Sequence, residues 1–287
     1  MREKTRWNSR PLDEWSAKYA NGKFIDLNGH ATHYLEKGDG PPVILLHGWF
    51  HDSQMWNKNI DALAQRFRVY AIDLWGYGYS TREALDWDYD LYAKQLRAFM
   101  EALHIQRAYL VGHSMGAGVC ILFSNQYREM VSQLILVSPA GLPNPSPLLD
   151  EATLQKPLKE LVLNGEKSRR LLLDTMFIYN PDSISDDFFN ELTRFHEIKG
   201  TNEVLIGSLK RNFFDGLSKE IKEIGQMNVP VLIIWGRHDK SVSPELGIKM
   251  HEVLRNSRLE FFEDSAHCAN YEQPERFNET VMRFLDE

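Results

Sequence analysis

The sequence predicts an α/β fold: a mostly parallel central sheet with flanking helices and an antiparallel edge. Three observations carry it. Continuous apolar runs recur with helical patterns between them, an Asn-Gly pair marks a hairpin near the start, and one long helical stretch interrupts the alternation. The runs are Val43–Leu46, Val69–Ile72, Ala108–Val111, Leu134–Val137 and Val231–Trp235, each ending near Gly, Pro or Asp. Apolarity at every position, rather than at every second one, suits strands covered on both faces, the condition of a parallel sheet.

In chain order, Asn28-Gly29 lies between Phe24–Leu27 and Ala31–Tyr34, and Asn-Gly between two β-type runs is a strong two-residue hairpin signal. Asp90–His104 sets Leu91, Ala98 and Leu103 among Lys94, Gln95, Arg97 and Glu101, an amphipathic crossover helix. Pro274–Leu285 opens on proline and aligns Phe277, Val281, Phe284 and Leu285, as a terminal helix should. After Pro139-Ala140-Gly141 comes the stiff linker Leu142–Pro147, and from about Leu148 to Gly225 the pattern is helical with no convincing strand. The expected organisation is a core domain of 23–141 and 226–287, a helical insertion of 142–225 after the sixth strand, and an N-terminal extension of 1–22.

Composition bounds the function. The 287 residues carry 33 basic and 40 acidic side chains, a formal charge of −7, which offers no general grip on a phosphate backbone and argues against nucleic acid as a partner. Two cysteines, Cys120 and Cys268, make no disulfide framework and fit a reducing compartment. With no apolar leader after Met1 and no run of 18 uncharged apolar residues, the expectation is a cytoplasmic protein with no membrane span. The oligomeric state is not legible.

The chemistry centres on Gly112-His113-Ser114-Met115-Gly116. As letters alone, Gly-x-Ser-x-Gly occurs by chance in roughly one chain in ten of this length. Its context selects it: a strand precedes it and Ala117–Phe123 continues as a helix, the setting of a nucleophile elbow. A serine hydroxyl needs a base, and the base needs an orienting acid. Asp239 follows the strand Val231–Trp235, and His267 follows the run Leu259–Phe262. The order Ser114, Asp239, His267 is the chain order expected of a nucleophile elbow on this fold. His238 adjoins the acid and has no strand end of its own to place it. The backbone N–H groups of Trp49, after His47-Gly48, and Met115, at the helix start, are candidates for an oxyanion hole.

Other features have plainer readings. His47 and Asp73 read as structural supports of their loops, and Cys268 as a packing residue. His51 and Asp52 have no second ligand cluster, so no metal and no cofactor are expected. Asn278-Glu279-Thr280 fits a glycosylation sequon but has no secretory signal to go with it. The insertion is rich in aromatics. Most suit the core of a small helical subdomain, while others line an apolar substrate pocket; the pocket candidates are Phe50 of the core with Met176, Phe177, Phe213 and Phe214 of the insertion.

Taken together, His47-Gly48-Trp49, Asp73-Leu74-Trp75-Gly76-Tyr77-Gly78-Tyr79-Ser80, Gly112–Gly116, Gly236–Asp239 and Ala266-His267 with Glu272-Gln273-Pro274 resemble the landmarks of the α/β-hydrolase superfamily over residues 23–287. The resemblance implies a Ser114–His267–Asp239 triad, an oxyanion hole of Trp49 and Met115, and a helical cap inserted after the sixth strand. Serine at the elbow disfavours dehalogenase and epoxide hydrolase chemistry. The His-Gly-Trp loop with Ser-Met-Gly is similar to small bacterial carboxylesterases and aryl esterases, which implies hydrolysis of apolar or aromatic esters. A second resemblance is to hydrolases of aromatic meta-cleavage products, which break a C–C bond with the same triad. Those usually carry Gly-Pro-Gly after His-Gly and tryptophan after the catalytic histidine, where this chain has Trp49-Phe50 and Cys268. In that reading Arg194 or Arg211 would hold a substrate carboxylate, against solvation at the surface. A non-catalytic ligand-binding relative is the alternative from another class.

Overall fold

The structure, a computed structural model, describes residues 6–144, 165–209 and 216–287. Eight strands form one sheet: β1 (Lys23–Leu27), β2 (His30–Lys37), β3 (Pro42–Leu46), β4 (Arg68–Ile72), β5 (Ala108–His113), β6 (Val131–Val137), β7 (Val231–Gly236) and β8 (Ser257–Phe262). Their order is β1-β2-β4-β3-β5-β6-β7-β8. The β1–β2 and β2–β4 pairings are antiparallel and every other pairing is parallel. Asn28 and Gly29 both take positive φ, 59° and 90°, the backbone of a type I′ turn, which explains the hairpin between β1 and β2.

The apolar runs became strands because both faces are covered. Val43–Leu46, Leu134–Val137 and Ile233–Trp235 are fully buried. Helix α1 (Leu12–Tyr19) precedes the sheet, α2 (Asn57–Leu63) follows β3, α3 (Tyr89–Ala102) joins β4 to β5, and α4 (Met115–Gln126) follows β5. Helix α3 starts where the Asp88 carboxylate accepts the Leu91 N–H at 2.7 Å, and it buries Tyr92, Ala93, Leu96 and Phe99. Helix α4 is apolar on every side and lies between the sheet, α3 and the helix Ser218–Ile224, so it is a core helix rather than a surface one. The terminal helix Pro274–Leu285 has the bounds expected of it.

Register decides where the site lies. Leu46 pairs with Gly112, His113 with Val137 and Gly236 with Phe262. The carboxyl ends of β3, β5, β6, β7 and β8 are therefore level, and the loops that follow them meet at one edge. Between β6 and β7 the described residues form helices at Glu166–Leu172, Asp186–Thr193, Thr201–Leu209 and Ser218–Ile224. A five-residue π-helical turn runs from Leu173 to Phe177. The N-terminal segment is not a free arm: Asn8 and Ser9 N–H groups donate to the His196 and Glu197 carbonyls, and Arg6 pairs with Glu197 at 2.6 Å. Among the described residues no helix is long and apolar enough to cross a membrane, and no group of three or more His, Cys, Asp or Glu is placed to hold a metal ion.

Candidate active site

Ser114 sits between β5 and α4 with φ 51° and ψ −113°, a strained backbone that a non-glycine residue adopts only when its surroundings force it. Its own N–H donates to the Val137 carbonyl at 2.9 Å, and its carbonyl accepts the Ala117 N–H at 3.1 Å. This is the sharp strand-to-helix turn expected of the motif. The residue is almost fully buried, and its hydroxyl makes no hydrogen bond to another described residue.

The strand ends bring Asp239 and His267 together. The His267 Nδ1–H donates to Asp239 Oδ2 at 2.7 Å, with both side chains buried. Asp239 Oδ1 accepts the Ser241 and Val242 N–H groups, each at 2.9 Å. Three donors thus hold one carboxylate. Donation from Nδ1 leaves Nε2 of a neutral His267 as the acceptor nitrogen. His238, the neighbouring histidine, instead stacks on Tyr179 at 4.3 Å.

His113 ties the elbow to this pair. Its Nε2–H donates to the His267 carbonyl at 2.9 Å, and the two rings meet edge to face at 4.6 Å. Burial holds the His113 imidazole well below its ordinary pKa, and the His267 and His51 rings add to the effect. Cys268 Sγ lies 3.8 Å from His113 Nε2 in a fully buried position, and burial pushes its thiol well up, as suits a packing residue.

Gly48 brings the loop after β3 against the elbow. A Cβ at this position would lie 2.5 Å from His113 Nδ1 and 3.1 Å from the Ser114 Cβ, so only glycine fits the approach. Trp49 follows directly, and its backbone N–H has no partner among the described residues. Met115 is the first residue of α4, and first-turn N–H groups of a helix have no partner within it. His47 supports the loop. Its Nδ1–H donates to the Gly48 carbonyl at 2.9 Å and its Nε2 accepts the Leu74 N–H at 3.0 Å. Asp73 does the same for the neighbouring loop, accepting from His33, Ser53 and Tyr79.

Phe177, among the described residues between β6 and β7, reaches the same edge. Phe177 stacks on His267 at 5.4 Å and 29°, and lies 6.0 Å from Phe50. Its carbonyl accepts the His267 N–H at 3.0 Å. Of the proposed pocket residues, Phe50 and Phe177 therefore meet beside His267, while Met176 packs half-buried against the core. Phe213, Phe214 and Arg211 lie outside the described residues. The Arg194 guanidinium sits 4.8 Å over the Tyr19 ring, against α1. Sequence reasoning missed Glu272 as a fastening. Its Oε1 accepts from Ala266 N at 2.9 Å, Cys268 N at 3.3 Å and Ser265 Oγ at 3.2 Å, while its Oε2 accepts from Tyr179 N at 2.7 Å. The sequence carried it only as part of the Glu272-Gln273-Pro274 landmark after His267, with no role attached.

Comparison with known proteins agrees with the fold. The model of the alpha/beta hydrolase fold family matches residues 41–170. A Mycobacterium tuberculosis protein of uncharacterised function is 29% identical over 281 residues, covering 92% of this chain and 81% of that one. A 2-hydroxy-6-oxononadienedioate/2-hydroxy-6-oxononatrienedioate hydrolase of Burkholderia vietnamiensis is 29% identical over 288 residues, covering 93% of this chain and 96% of its own. Among solved structures, a meta-cleavage product hydrolase from Pseudomonas fluorescens superposes with a TM-score of 0.79 at 26% identity, over 92% of this chain and 97% of that chain. The chain has the α/β-hydrolase fold and, along most of its length, resembles hydrolases of that superfamily.

Proposed function

We propose that this chain is a serine hydrolase that cleaves carboxylic esters with an apolar or aromatic part, through an acyl-enzyme. Ser114 attacks the carbonyl carbon while His267 Nε2 takes its proton and passes it to the leaving alcohol. Asp239 keeps the proton of the imidazole on Nδ1 and stabilises the imidazolium as it forms. The Trp49 and Met115 N–H groups receive the oxyanion, and water activated by His267 releases the acid. The observation that carries this reading is the buried 2.7 Å bond from His267 to Asp239, in a loop bonded to the residue next to Ser114. In this reading residues 142–225 act as a cap on the core of 23–141 and 226–287, and Phe50 with Phe177 form the pocket wall nearest the acyl group. The two free cysteines fit a reducing, cytoplasmic setting.

Hydrolysis of a C–C bond in a vinylogous diketone is the second reading, favoured by the named activity of relatives at 29% identity. The Trp49-Phe50 loop and Cys268 weigh toward esters. A panel of p-nitrophenyl esters of graded acyl length, run beside a meta-cleavage dienoate with Ser114→Ala as control, decides. Ester turnover that depends on Ser114 is the expected result. Fast dienoate cleavage with negligible ester turnover would install the second reading, and turnover that survives Ser114→Ala would sink the mechanism. A fluorophosphonate that fails to label Ser114 would point to a non-catalytic binding protein.

A further inference from the structure

Phe50 is the most strained position in the loop after β3. It holds φ 75°, which for a bulky residue is a strained backbone that persists only where neighbours over-determine it. The residue before it is Trp49, whose N–H is the proposed oxyanion donor. The turn is closed locally by the His51 N–H on the Gly48 carbonyl at 3.3 Å, but the Phe50 carbonyl is held from a distant part of the chain. The His196 Nε2–H donates to the Phe50 carbonyl at 3.1 Å, and the Phe50 ring packs edge-on against the His196 ring at 4.4 Å.

The direction of that bond is set one residue further back. Arg169 Nε donates to His196 Nδ1 at 3.0 Å. A guanidinium only donates, so Nδ1 accepts and the proton of the neutral ring must be on Nε2. Arg169 is itself fully buried, donates through Nη2 to Asn202 Oδ1 at 2.9 Å, and lies 4.3 Å over the Trp7 ring. Its Nη1 has no hydrogen-bond partner among the described residues. Burial lowers Arg169 only to about 10, so it stays a cation at neutral pH. Burial, then the Arg169 charge, keep His196 well below its ordinary pKa and therefore neutral. A buried arginine aimed at a histidine is an expensive arrangement if its purpose is packing alone. Trp49 is fastened to the same segment of the chain, its indole N–H donating to the Leu205 carbonyl at 3.1 Å.

We propose that Arg169 and His196 are positioning residues that hold the Phe50 carbonyl, and with it the strained turn that aims the Trp49 N–H at the substrate oxyanion. The proposal rests on the serine hydrolase reading above. On this view Arg169 and His196, both between β6 and β7, complete the oxyanion hole from outside it.

The test uses the full chain and two variants that split the two faces of His196. In His196→Gln the amide nitrogen replaces the Nε2 donor. In His196→Asn the amide reaches only the Nδ1 side, and the bond to Phe50 is lost. The substrates are p-nitrophenyl butyrate and its thionoester, because sulfur accepts hydrogen bonds poorly and the oxygen-over-sulfur rate ratio reads the oxyanion hole directly. His196→Asn is expected to lower kcat for the ester about 10- to 100-fold, with KM within about 2-fold, and to lower the rate ratio at least several-fold, a fraction of the 10²–10³ that one lost donor costs. His196→Gln is expected to stay within about 3-fold of wild type on both measures, on the same scale. An unchanged ratio in His196→Asn, or an equal loss in His196→Gln, overturns the proposal. If His196→Asn does not fold, Arg169→Gln, which frees the His196 tautomer, is expected to lower the ratio as well, and an unchanged ratio there is equally fatal. Labelling of wild-type Ser114 by a fluorophosphonate, measured alongside, separates the two failures: labelled chain with an unchanged ratio sinks this proposal alone, and unlabelled chain sinks the reading beneath it.

Discussion

The His267 N–H donates to the Phe177 carbonyl at 3.0 Å, while the Phe177 ring lies stacked on the His267 ring. One residue between β6 and β7 thus touches the proposed base through both backbone and side chain. The π-helical turn Leu173–Phe177 delivers it there, and such turns are frequent at functional sites. Tyr179, two residues on, bonds to Glu272 and stacks on His238. The segment is fastened to the His267 loop and the Asp239 loop at once.

Glu272 is the hinge pin of that arrangement, accepting from four donors. Glu272→Ala leaves buried N–H groups without partners, each worth about 1–3 kcal/mol. The expected outcome is a lower melting temperature together with a kcat reduced about 10-fold and a smaller change in KM, since the His267 loop loosens. Thermal melts and ester kinetics on the purified variant check both. An unaltered kcat would show that the fastening serves the fold only.

Asp239→Asn tests the orienting acid. The amide oxygen still accepts from Ser241 and Val242, so the loop should keep its shape. Its NH2 group cannot accept from His267 Nδ1–H, and the imidazole turns to the wrong tautomer. Turnover should fall by about 10⁴ with the melting temperature within a few degrees. Retention of more than about a tenth of wild-type turnover removes Asp239 from the mechanism.

Gly48→Ala places a methyl group against His113 and Ser114. Neither can withdraw, because His113 is bonded to the His267 carbonyl and Ser114 is held by its own strained turn. We expect a stability loss of about 1–3 kcal/mol in urea melts. We also expect at least a ~10²-fold drop in kcat, as the Trp49 N–H moves off the oxyanion position.

Acid should unfold the protein through its buried histidines. Burial lowers His47 from 6.5 to about 4 and His51 to about 3. Between pH 6.5 and 4 the unfolded chain binds a proton at each and the folded chain does not, so stability rises with pH across this window and is lost on acidification. Each such proton contributes a slope of about 1.4 kcal/mol per pH unit. Urea melts from pH 4 to 8 should show the slope, and His47→Asn should reduce it by about one proton. An unreduced slope in that variant would mean that other groups carry the acid sensitivity.

Much of the fold was legible because its signals are local. Asn28-Gly29 supplies the two positive φ values its turn requires, and the apolar runs need only be covered on both faces to become strands. Ser114, Asp239 and His267 could be picked out because each follows a strand, and parallel register then makes the strand ends level. The pocket was less legible. Phe177 and Met176 are adjacent and both apolar, yet one stacks on His267 and the other does not, which depends on how a single π-turn is wound.

By itself, the sequence determined the α/β alternation, the hairpin, the position of the inserted helices and the three residues proposed for catalysis. Those follow from periodicity, turn chemistry and chain order, which act over a few residues. Only the tertiary structure decided that Glu272 fastens two loops, that His113 bonds to the His267 carbonyl, and that Arg169 bonds to His196 and His196 to the Phe50 carbonyl. The physical reason is that these bonds join groups far apart in the chain, and a buried donor is satisfied by whichever acceptor the packing of the whole molecule brings near.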